Sequence, residues 1–476
     1  MTLERIPLRI LGSALLVILI SVVLLRFFPG YLTNTQFLAG IIFLQVLLAI
    51  VWNYRQRLMP ALALAFLGAG TYTPLQPVFS PIRWVLLAIG ALGGLALYLR
   101  ERGHWFGLFH AIALSCILSS FASAVVSTYA EVSFLKAASL LLLFLYGISG
   151  ARLVVLFSSW SFLSSLRIGL EVFTYITAVS YFVFHYSLMG NPNSLGAIMG
   201  VIVLPYLLWF ALTSDDAGAR HKRQLALIIS ICLLLSSYSR ASIGAGFIAA
   251  LLICFGLRQY KFFVRGLAVA LLCAVVVAAL VPMKSETSGQ GQTPVAKFLY
   301  KGHESQNVLQ SRLSVWDQTI DSIRSHPFFG TGFGTSLANE NAGSSRLQGI
   351  RVSSDVGVRE HGNSYLAIME WQGLLGVIPF FALISLVALY AVRVFIQVRN
   401  IQDLSSPLIV FAAVMLGGLF HAAFEDWLFA VGYYLCVYFW IFAFIFVDLL
   451  HRASEPYPEA ETTFTPVAQS AAGSAT

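Results

Sequence analysis

Two basic side chains in a strongly apolar chain are the first candidates for chemistry. Arg240 follows the polar run at 236–239 between two apolar segments, and His361 stands just before another apolar segment. A guanidinium group matches phosphate oxygens in a bidentate manner, and an imidazole can act as a general acid or base near neutral pH. Arg240 therefore suits the binding of a phosphate group, and His361 suits proton transfer. The simpler interpretations are a snorkelling or acid-paired arginine and an ordinary interfacial histidine.

Other polar side chains fall at short connections between apolar segments. Asn191 and Asn193 flank a proline before one segment, and Glu425 and Asp426 follow another. Charged groups at membrane depth are costly and usually face an internal cavity, so we expect these residues to line one polar chamber. His421 and Glu425 have i, i+4 spacing and would share a helix face. Two ligands alone are weak evidence for a metal, so we expect a hydrogen-bonded pair and neither a metal nor another cofactor.

One long hydrophilic stretch, residues 283–363, contains further candidates. Apolar residues recur at helical spacing over 311–323, which predicts a helix on the membrane interface or against the bundle. A proline at 327 ends this helix, and the glycine-rich run 330–334 allows tight turns. The arginines of the stretch could bind a diphosphate or simply be solvated; they are Arg312, Arg346, Arg351 and Arg359.

The elements that must position these side chains are membrane helices. The chain has 476 residues, of which 58% are hydrophobic and 11% are charged, whereas soluble proteins have about 25% charged residues. Apolar runs of about 20 residues recur, which is the length of a helical span. The sequence therefore predicts an all-α polytopic membrane protein with about 12–14 transmembrane helices and one large external loop. The five cysteines lie in apolar runs and indicate packing rather than disulfides.

The chain divides into four predicted regions. An N-terminal transmembrane bundle covers 1–282, the external loop covers 283–363, C-terminal transmembrane helices cover 364–450, and a disordered cytoplasmic tail covers 451–476. The predicted spans are 8–28, 35–53, 58–71, 82–99, 107–128, 134–156, 165–186, 193–213, 224–239, 241–257, 262–282, 364–392, 406–425 and 427–449.

The basic residues predict the orientation of these spans. Most Lys and Arg outside the loop fall on one side if the spans alternate, and that side is cytoplasmic by the positive-inside rule. The net charge of +8 is therefore mainly a topology signal and does not indicate nucleic-acid binding. Both termini are predicted inside, and the polar chamber and the loop outside.

Four short motifs in this order resemble the O-antigen ligase and O-antigen polymerase superfamily. Residues 190–196 resemble its Asn-Pro-Asn segment, and residues 237–240 resemble its Ser-x-Ser-Arg turn. Residues 312–334 resemble the Arg…Trp…His-Pro-Leu-x-Gly-x-Gly element of its external loop. Residues 361–376 resemble its His-Asn-x-Tyr-Leu…Glu-x-Gly-Leu-Leu-Gly exit, with Gly362 inserted after the histidine. The resemblance covers residues 190–430.

The resemblance implies a GT-C-like helical fold and an enzyme of the bacterial inner membrane, with its active site facing the periplasm. It implies that a glycan moves from undecaprenyl diphosphate to a sugar hydroxyl of lipid A–core or of another lipid-linked glycan. It also implies an inverting, metal-independent displacement without cofactors. Arg240 and Arg312 would hold the diphosphate, and His361 would accept the acceptor's proton. The other implied substrate-binding residues are Asn191, Asn193, Trp316, Arg359 and Glu425.

Three alternatives remain open at this stage. Within the family, the motifs do not separate a ligase from an O-antigen or exopolysaccharide polymerase. A transporter or flippase for lipid-linked glycans would place polar residues on broken helices near the bilayer midplane, whereas here they cluster on one face. The last alternative is a sensor or scaffold whose loop binds a partner.

Overall fold

The computed structural model of the chain describes residues 54–73, 76–100, 106–213, 217–280, 310–336, 361–398 and 406–454. Within these ranges the chain is helical and contains no strand. Seven of the described helices are long and apolar enough to cross a membrane, and three more are shorter apolar helices. The prediction of an all-α polytopic membrane protein is confirmed. The predicted spans 8–28 and 35–53, and most of the predicted tail, lie outside the described residues.

The helices are labelled in chain order. Those before the external loop are α1 (Tyr54–Ala69), α2 (Gln76–Arg100), α3 (Leu108–Val125), α4 (Ala130–Tyr146), α5 (Arg152–Ala178), α6 (Pro192–Ile198), α7 (Leu204–Leu212), α8 (Ala217–Ser236), α9 (Arg240–Gly256) and α10 (Tyr260–Leu280). The remaining ones are α11 (Gln310–Ser325), α12 (Ser364–Val398), α13 (Leu408–Ala422) and α14 (Tyr434–Ser454). Short π-helical turns, Gly147–Ala151, Val179–Val183 and Met199–Val203, join or follow α4, α5 and α6.

The predicted break between spans 134–156 and 165–186 is wrong. The chain stays helical from α4 through Gly147–Ala151 into α5, which runs through the predicted connection. No proline or glycine occurs between Arg152 and Ile168, so no residue there disfavours helix strongly. Two apolar segments of this run, Ala130–Ala151 and Phe162–Val183, are each long enough to cross a membrane.

Helix α12 is broken at Gly373, although the sequence predicts an uninterrupted span there. Gly373 has φ 63° and ψ −175°, so the helix divides into two parts. Residues 327–336, called the inserted loop below, follow α11 and enter this break. The N–H groups of Leu374 and Leu375 donate to the carbonyls of Pro327 (2.6 Å) and Phe328 (3.1 Å). The loop therefore accepts hydrogen bonds from amides that the helix itself leaves open.

Hydroxyl groups of α3, of α4 and of the connection between them hold the inserted loop from its other side. Ser123 donates to the carbonyl of Trp371 (2.6 Å), which fixes α3 to α12 beside the break. Ser127 donates to the carbonyl of Thr331 (2.9 Å), and Ser133 donates to that of Phe333 (3.0 Å). A Cβ at Gly330 would lie 2.5 Å from backbone atoms of Trp371, so only glycine fits this crossing. Residues 330–336 of the loop are thus buried in the bundle, whereas residues 327–329 are exposed.

A buried ion pair fixes the other end of the bundle. Arg152 donates to the carboxylate of Asp448 at 2.7 Å, and both side chains are 8% exposed. The same guanidinium contacts the hydroxyl of Tyr98 (3.0 Å) and the ring of His110 (3.1 Å). The cluster joins α2, α3, α5 and α14. Asp448 lies near the end of α14, whereas Tyr434 begins that helix. A buried pair satisfied in this way is costly to break from one side.

Candidate active site

One end of the bundle, called the polar end below, gathers the connections that carry the predicted site residues. It comprises residues 190–194, 237–240, 361–363 and 423–433, together with α11 and the inserted loop. Cross-contacts join these segments. The hydroxyl of Tyr181 donates to the carbonyl of Ser236 (3.2 Å), and that of Tyr434 donates to the carbonyl of Ser194 (2.6 Å). The polar residues predicted to share one side therefore do lie together at this end.

Helix α11 is the predicted loop helix, and it positions Arg312 over the connection between α13 and α14. The guanidinium of Arg312 donates to Glu425 Oε1 at 2.8 Å and to the carbonyl of Gly362 at 2.8 Å. It also donates to the carbonyl of Phe424. The side chains of Arg312 and Glu425 are 19% and 16% exposed. The arginine is therefore held in a fixed orientation with part of its surface open to a ligand.

Gly362, the residue inserted relative to the family motif, provides a backbone acceptor for Arg312. It has φ +59°, a conformation that favours glycine. Its carbonyl accepts from Arg312 and lies 3.5 Å from Nε1 of Trp316, which is at the limit of a hydrogen bond. Trp316 thus lies beside the site one turn after Arg312.

His361 is buried between two carboxylates. Its side chain is 1% exposed. Nε2 lies 2.6 Å from Glu370 Oε2, and Nδ1 lies 3.1 Å from Asp426 Oδ2. The backbone N–H of His361 also donates to Asp426 Oδ2 (2.7 Å), and the hydroxyl of Ser336 contacts Nε2 (3.1 Å). Both ring nitrogens therefore have carboxylate partners.

These carboxylates determine the charge of the ring. Burial alone would lower the pKa of His361, but the hydrogen bonds and negative charges of Asp426 and Glu370 outweigh it, and the pKa is raised above its ordinary value. The two carboxylates therefore favour the imidazolium form of the ring, in which both N–H groups donate. Glu370 is fully buried, whereas Asp426 is 20% exposed. The row Glu370–His361–Asp426 thus opens to solvent only at Asp426.

The broken helix explains how Glu370 reaches this row. Glu370 lies in the first part of α12, one turn before the break at Gly373. Its Oε1 accepts from the hydroxyl of Ser322 on α11 (2.7 Å), and its backbone carbonyl accepts from the N–H of Thr331 (2.9 Å). The inserted loop and α11 together fix the carboxylate.

Arg240 begins α9 after a turn in which Tyr238 has φ +49°. Burial lowers the pKa of Arg240, and the positive charge of Arg312 lowers it further, so the two guanidinium groups are close enough to interact at the polar end. An anion between two such cations would relieve their repulsion.

The turn before Arg240 is tied to the α13–α14 connection through a buried polar chain. The hydroxyls of Ser239 and Ser242 lie 2.7 Å apart, and Ser242 contacts Nε2 of His421 at 3.0 Å. Nδ1 of His421 accepts from the indole of Trp427 at 2.8 Å. The expected hydrogen-bonded pair of His421 and Glu425 is therefore wrong. Helix α13 ends at Ala422, so the helical spacing does not continue to Glu425.

The Asn-Pro-Asn segment begins helix α6. The side chain of Asn191 accepts from the backbone N–H of Asn193 (2.9 Å), and the proline stands in the first turn. These are the features of a helix N-cap. Asn191 is exposed and Asn193 is partly buried at the polar end, close to the carbonyl of Ser194 that Tyr434 binds.

Arg359 lies outside the described residues, so its predicted role stays a prediction. Asp426 was predicted to line the polar chamber but was given no role in the reaction. Glu370 was not among the predicted site residues, although it is an acid within an apolar segment, which is itself a signal of function. Ser336 carried no such signal. Within the described ranges, no group of three or more His, Cys, Asp and Glu side chains could hold a metal ion.

The fold and the site together define a class of protein: a multi-pass helical membrane protein with arginines and carboxylates gathered at one end of its bundle. Residues 225–381 match the model of a family described as O-antigen ligase. This match, which covers less than half of the chain, supports the O-antigen ligase and polymerase superfamily and a membrane glycosyltransferase of that type. It spans Arg240, Arg312, His361 and Glu370 and ends before Asp426. No curated protein matches the chain.

Proposed function

We propose that the polar end transfers a glycan from undecaprenyl diphosphate to a sugar hydroxyl of a second substrate. The observation that carries this proposal is the convergence of Arg240, Arg312 and the row Glu370–His361–Asp426 at one end of the bundle. The two arginines suit a diphosphate, and the carboxylate–histidine row suits a hydroxyl that must lose its proton. The O-antigen ligase match supports lipid-linked glycans as the substrates.

Arg240 and Arg312 are the proposed ligands of the diphosphate. Arg312 is oriented by Glu425 and by two carbonyl groups, so little side-chain entropy remains to be lost when an anion binds. Because the cations repel each other, a diphosphate that bridges them gains attraction and removes repulsion. This attraction grows as negative charge develops on the leaving diphosphate. The arginines therefore stabilise the transition state more than the bound substrate, which increases the reaction rate.

Asp426 is the proposed contact for the acceptor hydroxyl. It is the part of the carboxylate–imidazolium row that reaches solvent, and it can accept the proton that the hydroxyl loses. His361, as a buried cation, orients this carboxylate through its ring and its backbone N–H. The family resemblance predicts instead that His361 accepts the proton itself. That step requires a neutral ring with one nitrogen released from its carboxylate.

The proposed reaction is one displacement. The acceptor oxygen forms a bond to the anomeric carbon while the bond from that carbon to the diphosphate oxygen breaks, so the configuration inverts. The proton of the hydroxyl passes to a carboxylate and then to water, and undecaprenyl diphosphate leaves with the electron pair. The diphosphate bond supplies the driving force. We place this site at the periplasmic face of the inner membrane, because basic residues at the start of α8 and α10 mark the other end as cytoplasmic.

Release of undecaprenyl diphosphate by purified protein is the decisive experiment. The protein is mixed in detergent with a lipid-diphosphate-linked glycan and an acceptor glycolipid, and both products are measured. We expect turnover by the wild type and its loss in Arg240→Gln. Arg324→Gln is the matched control, since Arg324 is exposed and pairs with Asp321 on its own helix. Transport without cleavage would reject the enzyme in favour of a transporter. Full activity of a folded Arg240→Gln protein would reject the proposed diphosphate site.

The two candidate proton acceptors differ in their pH profiles. If His361 accepts the proton directly, the rate rises as the pH increases through its raised pKa, because only the neutral ring is active. If Asp426 accepts it, the rate shows no such rise and Asp426→Asn is the damaging substitution. His361→Gln then lowers the rate less than Asp426→Asn does.

A ligase and a polymerase differ in what accumulates without the gene. Lipid-linked polymer that stays unattached indicates a ligase with a lipid A–core acceptor. Single repeat units on the lipid carrier indicate a polymerase. The described residues do not favour one of these acceptors, and both use the same proposed site.

A further inference from the structure

A second cleft opens at the end of the bundle opposite the polar end. It has a volume of about 500 Å³ and lies between α8 and α10, beside the last residues of α7. Clefts of roughly 300–1,000 Å³ are typical of small-molecule sites. Helix α8 ends at Ser236, next to the turn that carries Arg240, whereas Arg220, at the mouth of the cleft, lies near its start. The mouth of the cleft and the candidate active site are therefore at opposite ends of α8.

The cleft is polar at its mouth and apolar along its wall, because two helix faces meet there. On α8, Arg220 and Gln224 are followed on the same face by Ile228 and Ile231. Helices α8 and α10 are both antiparallel to α9, which follows α8 and precedes α10 through short turns, so they run parallel and begin at the same end.

The face of α10 completes this arrangement. Gln259 precedes the helix, and Arg265 lies on the same face as Phe262 and Val269. Two guanidinium groups and two amides thus surround the mouth, while branched and aromatic side chains line the wall below them.

Basic residues outnumber acids around the mouth. Residues 217–280 contain no Asp or Glu, and the two acids that precede α8, Asp215 and Asp216, lie outside the described residues. The described acid on the neighbouring helix α5, Glu171, already pairs with Arg167 at 3.1 Å. The nearby Arg223 is directed elsewhere, because its guanidinium donates to the carbonyl of Phe210 at 3.1 Å. A ligand of this cleft is therefore expected to carry negative charge at one end and apolar groups at the other.

We infer that this cleft binds an anionic phospholipid of the leaflet opposite the candidate active site. Arg220 and Arg265 hold the phosphate diester, Gln224 and Gln259 bind the polar headgroup, and an acyl chain lies along Ile228, Ile231 and Val269. Basic pockets between membrane helices recognise anionic headgroups in this way. The apolar wall adds the burial of methylene groups, which a soluble anion does not provide.

Two segments of the chain outside the described residues are rival occupants. Residues 1–53 contain one acid, Glu4, against three arginines, so their charge does not complement the mouth. Residues 455–476 contain three glutamates and no Lys or Arg, and they follow α14 at this same end. The charge of this acidic tail complements the arginines, but the tail has few apolar groups to contact the apolar wall. A lipid therefore matches the cleft better, and the experiment below also tests whether the tail occupies it.

Native mass spectrometry and thermal unfolding of the full-length protein in detergent test the inference. Phosphatidylglycerol and phosphatidylcholine are titrated separately, with glycerol phosphate as the soluble headgroup. We expect one retained phosphatidylglycerol and a raised Tm for the wild type. The double variant Arg220→Gln/Arg265→Gln should bind at least about tenfold more weakly, because two charge-assisted contacts are lost. The matched control Lys222→Gln/Lys261→Gln removes the same charge from exposed residues that do not line the cleft, and should bind as the wild type does.

Three results would overturn the inference. Equal weakening in the control variant would mean that general surface charge attracts the lipid. Equal protection by glycerol phosphate at the same concentration would mean that the cleft is an anion site without an acyl chain. Removal of residues 455–476 that strengthens phosphatidylglycerol binding about tenfold would mean that the acidic tail is the occupant. Lipid binding and Tm are measured without glycan transfer, so these results test the lipid site independently of the proposed function.

Discussion

Neutralising Glu370 tests whether His361 is a buried cation. The Glu370 side chain is fully buried, and Oε2 lies 2.6 Å from the ring of His361. Oε1 accepts a hydrogen bond from Ser322 at 2.7 Å. Glu370→Gln keeps the volume and one accepting oxygen for the ring of His361, while its NH2 group can donate to the hydroxyl of Ser322, and it removes the charge. Removing one partner of a buried ion pair costs about 3–5 kcal/mol. Because the amide oxygen still accepts from the ring and Asp426 still pairs with it, we expect about 3 kcal/mol.

The sign of the pH dependence follows from the raised pKa of His361. The stability that protonation of His361 contributes is fully present below its unfolded pKa of about 6.5 and is lost as the pH rises through the higher folded pKa. Without the charge of Glu370 the folded pKa falls, so this loss begins at a lower pH. The difference in stability between the wild type and Glu370→Gln is therefore largest on the acid side and shrinks as the pH rises.

Thermal unfolding in detergent between pH 5.5 and 8.5, followed by tryptophan fluorescence, measures this difference. Glu131→Gln is the control, since Glu131 is an exposed acid in the first turn of α4. We expect the control to change Tm little and uniformly with pH. A Glu370→Gln protein that matched the control at every pH, or a difference independent of pH, would refute the assignment of a buried imidazolium.

Three further predictions follow from contacts in the structure. Asp426→Asn should lower kcat about 10²–10⁴-fold with little change in the KM of the donor, measured as release of lipid diphosphate; a change in KM alone would contradict the proposed role. Gly373→Ala would place a Cβ 2.5 Å from the carbonyl of Phe328, so we expect the folded fraction to fall sharply on size exclusion, and a wild-type Tm would contradict the insertion of the loop. Arg152→Ala should cost about 3–5 kcal/mol by leaving Asp448 buried alone, whereas Arg152→Leu/Asp448→Leu should recover most of this loss in a Tm measurement.

Much of the fold was predictable because the bilayer imposes a strong constraint on sequence. Apolar runs of the required length predicted the helices, and the apolar spacing over 311–323 predicted α11, which the structure places at Gln310–Ser325. Alternation of the spans placed Arg240, Arg312 and His361 at one end. The continuation of α5 through the predicted connection at 157–164 was missed, because the serines there resemble a connection when only hydropathy is considered.

The pairings within the site could not be predicted, because they depend on how distant segments meet. Glu425 was expected to pair locally with His421, but it binds Arg312, which is 113 residues away. Asp426 reaches His361 across 65 residues. The sequence shows that an acid lies beside an apolar segment, but it does not show which basic residue that acid contacts in the fold. The insertion of a loop into α12 left no signal apart from the glycines that permit it.

The break at Gly373 has a consequence for how the protein is made. Ribosomal synthesis delivers residues 327–332 well before the helix that receives them, and Leu374 and Leu375 find their backbone acceptors only when that earlier segment has returned. Until then the nascent helix carries open amide groups within a stretch that must enter lipid. This span is therefore completed during tertiary assembly and not during membrane insertion. We expect substitutions in the inserted loop to increase degradation of newly made protein in the cell.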